Sequence, residues 1–316
     1  MQDHQPKTTE INPLADYPPF LDLNYYRSAN SDLRNFTDDQ LIVHFRDYGK
    51  IEGRAGSPCS FRENFLAILT KDANTLEIGP FCGPQLRGEK IRYFDIADRD
   101  SLIKKAIELS YPFTHAPLID YVSPTGDLDV IADEFDQIFS SHCIEHQPNL
   151  VRHFSQVSQI LRDGGNYFLI IPDKRFCFDH FLPESSIAEV LGSYIEQKRL
   201  HYAKSILEHR LLTTHNDPVR HWQGDHGVPA IEAQNPESVM LSIDNIIANK
   251  DAYLDTHAWH FTPDVFLDIV NQLYKQGLSK LKAERIYNTP FGRFEFCAIL
   301  SNRAADKTKL VSNAST

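Results

Sequence analysis

Residues 75 to 83 read Thr-Leu-Glu-Ile-Gly-Pro-Phe-Cys-Gly, an apolar run holding one glutamate that breaks into glycines. A second short run, Ile91-Arg-Tyr-Phe-Asp95, follows and ends on an acid. A strand, a Gly-rich turn and a strand capped by a carboxylate is how open α/β sheets bind a ribonucleoside: the turn admits the ligand to the backbone, and the acid accepts hydrogen bonds from the ribose hydroxyls. Dinucleotide sites use G-x-G-x-x-G because pyrophosphate must meet backbone N–H groups at a helix N-terminus. Here Phe81 takes the place of the second glycine and Pro80 has no N–H to donate. A nucleoside without phosphate, such as S-adenosylmethionine, suits this turn better.

Further along, Phe135-Asp-Gln-Ile-Phe-Ser-Ser-His-Cys-Ile-Glu-His146 and Leu161-Arg-Asp-Gly-Gly-Asn-Tyr-Phe-Leu-Ile-Ile-Pro172 each pair an apolar run with a polar exit. In this order the segments resemble the class I S-adenosylmethionine-dependent methyltransferases, over residues 60–303. The family's acid-x-Gly-x-x-x-Gly motif falls on Glu77, Gly79 and Gly83, and its ribose acid on Asp95. The resemblance implies an α/β fold, a Rossmann-like seven-stranded sheet with an antiparallel last strand, and S-adenosyl-L-methionine as cofactor. It places the cofactor against Glu77, Gly79, Pro80, Phe81, Gly83, Asp95, Ile96, Ser141 and His142.

The apolar runs predict strands at Thr75–Ile78, Arg92–Asp95, Ile119–Val122, Gln137–Ser140, Tyr167–Ile171, Leu281–Tyr287 and Phe294–Leu300. Helices are predicted from Arg99 to Leu109, from Asn149 to the glycines 164 and 165, and from Thr262-Pro263 to Gly277. Only seven residues separate Gly83 from Ile91, too few for an ordinary helical crossover, so the first helix should be cut to about a turn. Residues 183–258 form a helical insertion or lid, with one long helical stretch from Glu184 to about Leu212 and another from Pro236 towards Asp251. Residues 19–56 form a small helical N-terminal module with Gly49 as a helix C′ residue; it is similar to modules accompanying bacterial glycan-handling enzymes, and it could equally brace the main domain. Residues 1–18 and 304–316 are expected to be flexible.

The formal net charge of −11 argues against nucleic acid as the main partner, since phosphate binding relies on clustered Lys and Arg. No apolar stretch reaches the roughly 20 residues of a membrane span, and the first residues lack the apolar core of a secretory signal. With five cysteines and no CxxC pair, a reducing cytoplasm is the expected compartment. The sequence leaves the oligomeric state open.

Methyl transfer needs an aligned acceptor and relief of its proton. Eleven of the fourteen histidines lie between positions 142 and 260, and histidine is the side chain suited to that task near neutral pH. His146 and His142 are candidate bases with Glu145 as orienting partner, and His180, after the fifth strand, is a third. The similar acid-rich segment of metal-dependent O-methyltransferases offers another reading, in which His142, Glu145 and His146 ligate a cation; His142 replaces an acid of that pattern, so no metal is expected. A third reading makes the trio structural. Lys174, Arg175, His215, Arg220, His221, Trp222 and His226 are candidate substrate contacts, Trp222 by stacking on a ring; internal salt bridges would give the same composition. The favoured function is O-methylation of a sugar or related small polar acceptor, that is, a small-molecule or glycan substrate of surface-polysaccharide metabolism. The rivals are an NAD-dependent oxidoreductase or epimerase and a non-catalytic nucleoside-binding module.

Overall fold

A computed structural model describes residues 17–303. The expected flexible ends lie outside the described residues except at Tyr17 and Pro18, which are held: Tyr17 packs edge-on against Phe168, and the Pro18 carbonyl accepts the Tyr287 hydroxyl at 2.7 Å.

Seven strands form one sheet: β1 (Thr75–Ile78), β2 (Ile91–Asp95), β3 (Tyr121–Val122), β4 (Phe135–Ser141), β5 (Leu161–Pro172), β6 (Leu281–Tyr287) and β7 (Glu295–Asn302). Their order is β3-β2-β1-β4-β5-β7-β6, and β7 alone runs antiparallel, between β5 and β6. This is a Rossmann-like sheet with a reversed last strand. All four residues of β1 and all eight of β7 are buried, as expected of strands covered on both faces.

The N-terminal module contains α1 (Leu23–Ala29) and α2 (Asp38–His44), the latter opened by a Thr37–Gln40 capping box. It docks on the β6–β7 connection, where the Phe291 N–H donates to the Gly53 carbonyl at 2.7 Å and Asn288 Nδ2 donates to the Arg54 carbonyl at 3.0 Å. Gly49 is not the αL cap expected: the chain passes through a π turn there, and a Cβ would sit 2.1 Å from the Tyr26 hydroxyl. A short α3 (Arg62–Leu66) leads into the sheet.

No helix joins β1 to β2. Buried Glu77 replaces it: its carboxylate accepts the N–H groups of Gln85 and Leu86 at 2.8 and 2.9 Å, folding the short crossover back on the strand. The α4 helix (Arg99–Glu108) follows β2. Next, α5 (Leu150–Ile160) is capped by Asn149 and ends before Leu161. Its predicted glycine stop instead lies in β5, where Gly164 (φ +78) sits in a register shift against β4.

The stretch expected as one helix from Glu184 to about Leu212 is broken in two, and the insertion holds five helices. It comprises α6 (Ile187–Ile195), α7 (Ala203–Leu211), α8 (Pro218–Trp222), α9 (Ala230–Ala233) and α10 (Pro236–Ala248). The first break falls at Gln197, whose left-handed backbone (φ +51) ends α6 within a polar run that no apolar stripe holds down. The α11 helix (Pro263–Lys275) keeps its predicted limits, with Thr262 as cap and Gly277 (φ +70) reversing the chain. Among the described residues, no helix is long and apolar enough to cross a membrane.

Candidate functional site

At the carboxyl ends of β1, β2 and β4 opens a cleft of about 280 Å³, lined among others by Gly79, Phe81, Asp95, Ile96, His142 and His146. Gly79 (φ +71) turns the chain beside β4, where a Cβ would stand 3.2 Å from Cys143 Sγ. Phe81 also adopts a left-handed conformation (φ +48), which brings its N–H to Asp95 Oδ2 at 3.0 Å, while Oδ1 accepts the Ile96 N–H at 2.7 Å. The turn and the acid thus form one hydrogen-bonded unit, and each Asp95 oxygen keeps a lone pair for a ligand. Burial raises the Asp95 pKa, and the two N–H groups oppose that rise. Of the expected cofactor set, Glu77, Pro80, Gly83 and Ser141 do not line the cleft; the Glu77 carboxylate is spent on the crossover.

Beside His146 but outside the cleft's lining, Glu145 is fully buried, and neither of its carboxylate oxygens has a hydrogen-bond partner. Around Oε1 stand His142 Nδ1 at 3.8 Å, His146 Nε2 at 3.9 Å and His257 Nε2 at 3.9 Å. These gaps exceed a hydrogen bond. They are wider than the roughly 3.4 Å edge of a tetrahedron of ligand atoms with bonds of roughly 2.1 Å, so the side chains would have to close by about half an ångström around a cation. The other nitrogen of each ring is engaged by a second carboxylate: His142 Nε2 by Glu295 at 2.9 Å, His146 Nδ1 by Asp255 at 3.0 Å and His257 Nδ1 by Asp179 at 2.5 Å. A ring nitrogen bonded to a carboxylate fixes the tautomer and turns the free lone pair towards a metal. Glu145, His146 and His257 therefore fit a divalent cation, with His142 flanking, and the imidazole content favours a zinc- or iron-class ion over magnesium or calcium. The expectation of no metal is untested by this geometry, which shows only that the three side chains could hold an ion. His257 joins this group from the far end of the insertion, held there because the Ala258 and Trp259 N–H groups donate to the Glu145 carbonyl at 2.7 and 3.2 Å.

Burial opposes a charge on His146, but Asp255 and Glu145 outweigh it and raise its pKa. Burial pushes the Asp255 carboxyl up, and His146 draws it well below the usual carboxylate range. Residue 142 holds a left-handed backbone (φ +51) at the exit of β4. Strain of that kind, of order 1–3 kcal/mol, concentrates at functional sites.

The expected substrate contacts have other partners. Arg175 forks onto Asp173 at 2.9 and 2.6 Å, and Arg220 pairs with Asp225 at 2.8 Å. Lys174 is buried, donating to the His180 carbonyl at 2.9 Å. Trp222 stacks on Phe176 at 3.8 Å and donates to the Arg293 carbonyl at 2.9 Å, so the face expected to meet a sugar already covers a phenyl ring. His215 donates from Nε2 to the Asp225 carbonyl at 3.1 Å. His180 does not line the cleft; it packs with His221 and His226. Asp179, Asp255, Tyr253 and Lys105 carried no motif to mark them and join the site only in space.

No family model matches the chain, and no curated protein matches it. Among solved structures it is similar to an S-adenosylmethionine-dependent methyltransferase from Mesorhizobium loti, at 14% identity over 76% of this chain and 96% of that one, with a TM-score of 0.38. It is also similar to a Listeria monocytogenes structure assigned to the same class, at 9% identity over 77% and 97% of the two chains, with a TM-score of 0.40. A Rhodobacter sphaeroides structure named for zinc-dependent alcohol dehydrogenases stands alongside, at 13% identity over 78% and 91%, with a TM-score of 0.40. Overlaps this loose carry no argument about chemistry, which rests on the side chains of the cleft.

Proposed function

We propose that the chain is an S-adenosylmethionine-dependent O-methyltransferase that uses a divalent cation, acting on a sugar or similar small polyhydroxyl acceptor. The observation that supports this best is one cleft lined both by the Gly79–Phe81 turn with Asp95 and by the His146–Asp255 pair, with unpaired Glu145 buried next to His146. Asp95 accepts the ribose hydroxyls, and Phe81 and Ile96 hold its carboxylate in place. When bound, a divalent cation lowers the pKa of a hydroxyl beside it and fixes its position. Glu145, His146 and His257 hold that cation, and Asp179 and Asp255 fix the two imidazoles in the ligating tautomer. Because His146 turns Nε2 towards Glu145 while Nδ1 is engaged by Asp255, its geometry favours a ligand over a free base.

A second cleft of about 300 Å³ lies nearby, its mainly apolar wall including Leu200, Tyr202 and Trp259 beside Glu189, Lys204 and His260. The five cysteines are all free, in keeping with a cytoplasmic location, and the acidic net charge is in keeping with a glycan or small-molecule partner. Calorimetry tests the reading. S-adenosylhomocysteine should bind and NAD should not; binding of NAD alone would replace this assignment with an oxidoreductase, and binding of neither would refute the nucleoside cleft.

A further inference from the structure

The second cleft is walled by α6, α7 and the segment 258–260, with Leu200, His201 and Tyr202 between the two helices. Its volume of about 300 Å³ and mainly apolar wall are those of a small-molecule site. The charges at its rim are paired among themselves. Lys204 Nζ stands 3.3 Å from Glu189 and 3.4 Å from Glu208, and the Tyr202 hydroxyl donates to Glu196 at 2.8 Å. His201 differs: both of its ring nitrogens are shielded from water, and neither has a hydrogen-bond partner. A neutral imidazole carries one donor and one acceptor, and leaving both unmade is costly. Packing alone holds this ring in place.

That ring stands between the two clefts. His201 packs on Tyr253 with ring centroids 5.2 Å apart, and Tyr253 lines the cofactor cleft. The clefts also meet at consecutive residues: Gln147 lines the cofactor cleft and Pro148 the second one. Trp259 fixes this seam by donating from Nε1 to the Gln147 carbonyl at 2.7 Å. On the opposite wall Gly192 lies inside α6, and a Cβ there would meet no atom within 4 Å. Glycine in a helix interior costs about 1 kcal/mol against alanine. No close packing requires it here, and its effect is to leave the wall open.

Resting on the methyl-transfer reading, we propose that this second cleft holds an apolar part of the acceptor, so that the acceptor is a sugar-sized polyhydroxyl ring carrying an aryl or short alkyl group. The apolar group packs against Leu200, Tyr202 and Trp259, where burial removes it from water. The hydroxylated ring lies on the Tyr253 side, towards the cofactor cleft. His201 sits between the two parts, and turning its imidazole gives one of the acceptor's hydroxyls a partner and the ring the hydrogen bond it lacks.

The test uses the full-length protein and two probes, phenyl β-D-glucoside and methyl β-D-glucoside, titrated by calorimetry with and without S-adenosylhomocysteine. Wild type should bind the phenyl glucoside at least about tenfold more tightly than the methyl one, since only the first has a ring to bury. Gly192→Leu fills the open wall and should weaken the phenyl glucoside about tenfold, with S-adenosylhomocysteine affinity and melting temperature kept. His201→Phe keeps the ring's shape without its nitrogens and should weaken the phenyl glucoside about 3–10-fold, the scale of one hydrogen bond. Equal affinity of wild type for the two glucosides, or an unchanged phenyl glucoside affinity in Gly192→Leu, would overturn the proposal. If Gly192→Leu does not fold, His201→Phe decides in the same way. Failure of the methyl-transfer reading shows separately, as a wild-type protein that does not bind S-adenosylhomocysteine; the preference between the glucosides is read in either case.

Discussion

Glu145 Oε1 and His257 Nε2 face each other across 3.9 Å, from opposite sides of the helical insertion, with the carboxylate wholly buried and without a hydrogen bond. A buried, unpaired carboxylate is costly, and under the proposed function a cation between it and the neighbouring imidazoles offsets that cost. Activity should therefore vanish on chelation and return on adding a divalent cation. Methyl transfer that survives exhaustive chelation in a protein shown to be metal-free would sink the cation's role.

The same pair predicts opposed effects on stability and activity. Glu145→Gln replaces a buried charge by a neutral amide, so the metal-free variant should be more stable than metal-free wild type by about 1–3 kcal/mol. It should also be inactive. Denaturant unfolding of both stripped proteins, beside a turnover assay, checks the two halves; equal stabilities would contradict the cost assigned to the unpaired carboxylate.

Asp179→Asn keeps the shape behind His257 but weakens the acceptor for its Nδ1 proton. Metal affinity or turnover should fall about 10–100-fold, the usual effect of altering a metal ligand's hydrogen-bond partner. Binding of S-adenosylhomocysteine should not change, and a variant that loses both would indicate a general structural defect.

Asp95→Asn tests the nucleoside end. It removes the charge that accepts from the ligand and from Phe81 and Ile96, so cofactor affinity should weaken by about 1–3 kcal/mol, the range for charged hydrogen bonds. Titration calorimetry measures it, and a wild-type dissociation constant would contradict the ribose role.

Arg62 forks onto Glu295 at 2.9 and 2.6 Å, and His142 bonds the same carboxylate. Burial pushes the Glu295 carboxyl up, but His142 and Arg62 hold it down to about 2, against an ordinary 4.5. A depressed acid stabilises the fold fully above its unfolded pKa, and that stability is lost as pH falls through the folded pKa. The Glu295 contribution should thus fade between about 4.5 and 2. In Arg62→Met that part of the acid-unfolding curve should flatten; an identical curve would refute the pairing.

Strand 1, strand 6, the Thr262-Pro263 helix start and the absence of a full first crossover helix were legible in the chain, because each is encoded within a few residues: an apolar run, a cap, a proline, a spacing. Asp95 and Gly79 were legible for the same reason, since turn and acid are neighbours on adjacent strands. The break in the insertion helices was not, because polar residues such as Gln197 specify no face and the packed surroundings choose the conformation.

Trp222 and Arg175 show the converse limit. Their chemistry suited a substrate, but Phe176 and Asp173, both close to Arg175 in the chain, took the ring face and the guanidinium. By itself, the sequence determined a glycine turn and a strand-ending acid on a Rossmann-like sheet and a surplus of histidines, since those follow from local pattern and composition. Only the tertiary structure decided which histidines share a charge. The Ala258 N–H bond to the Glu145 carbonyl carries His257 to the cluster across the whole insertion, and no periodicity in the chain records a contact made at that range.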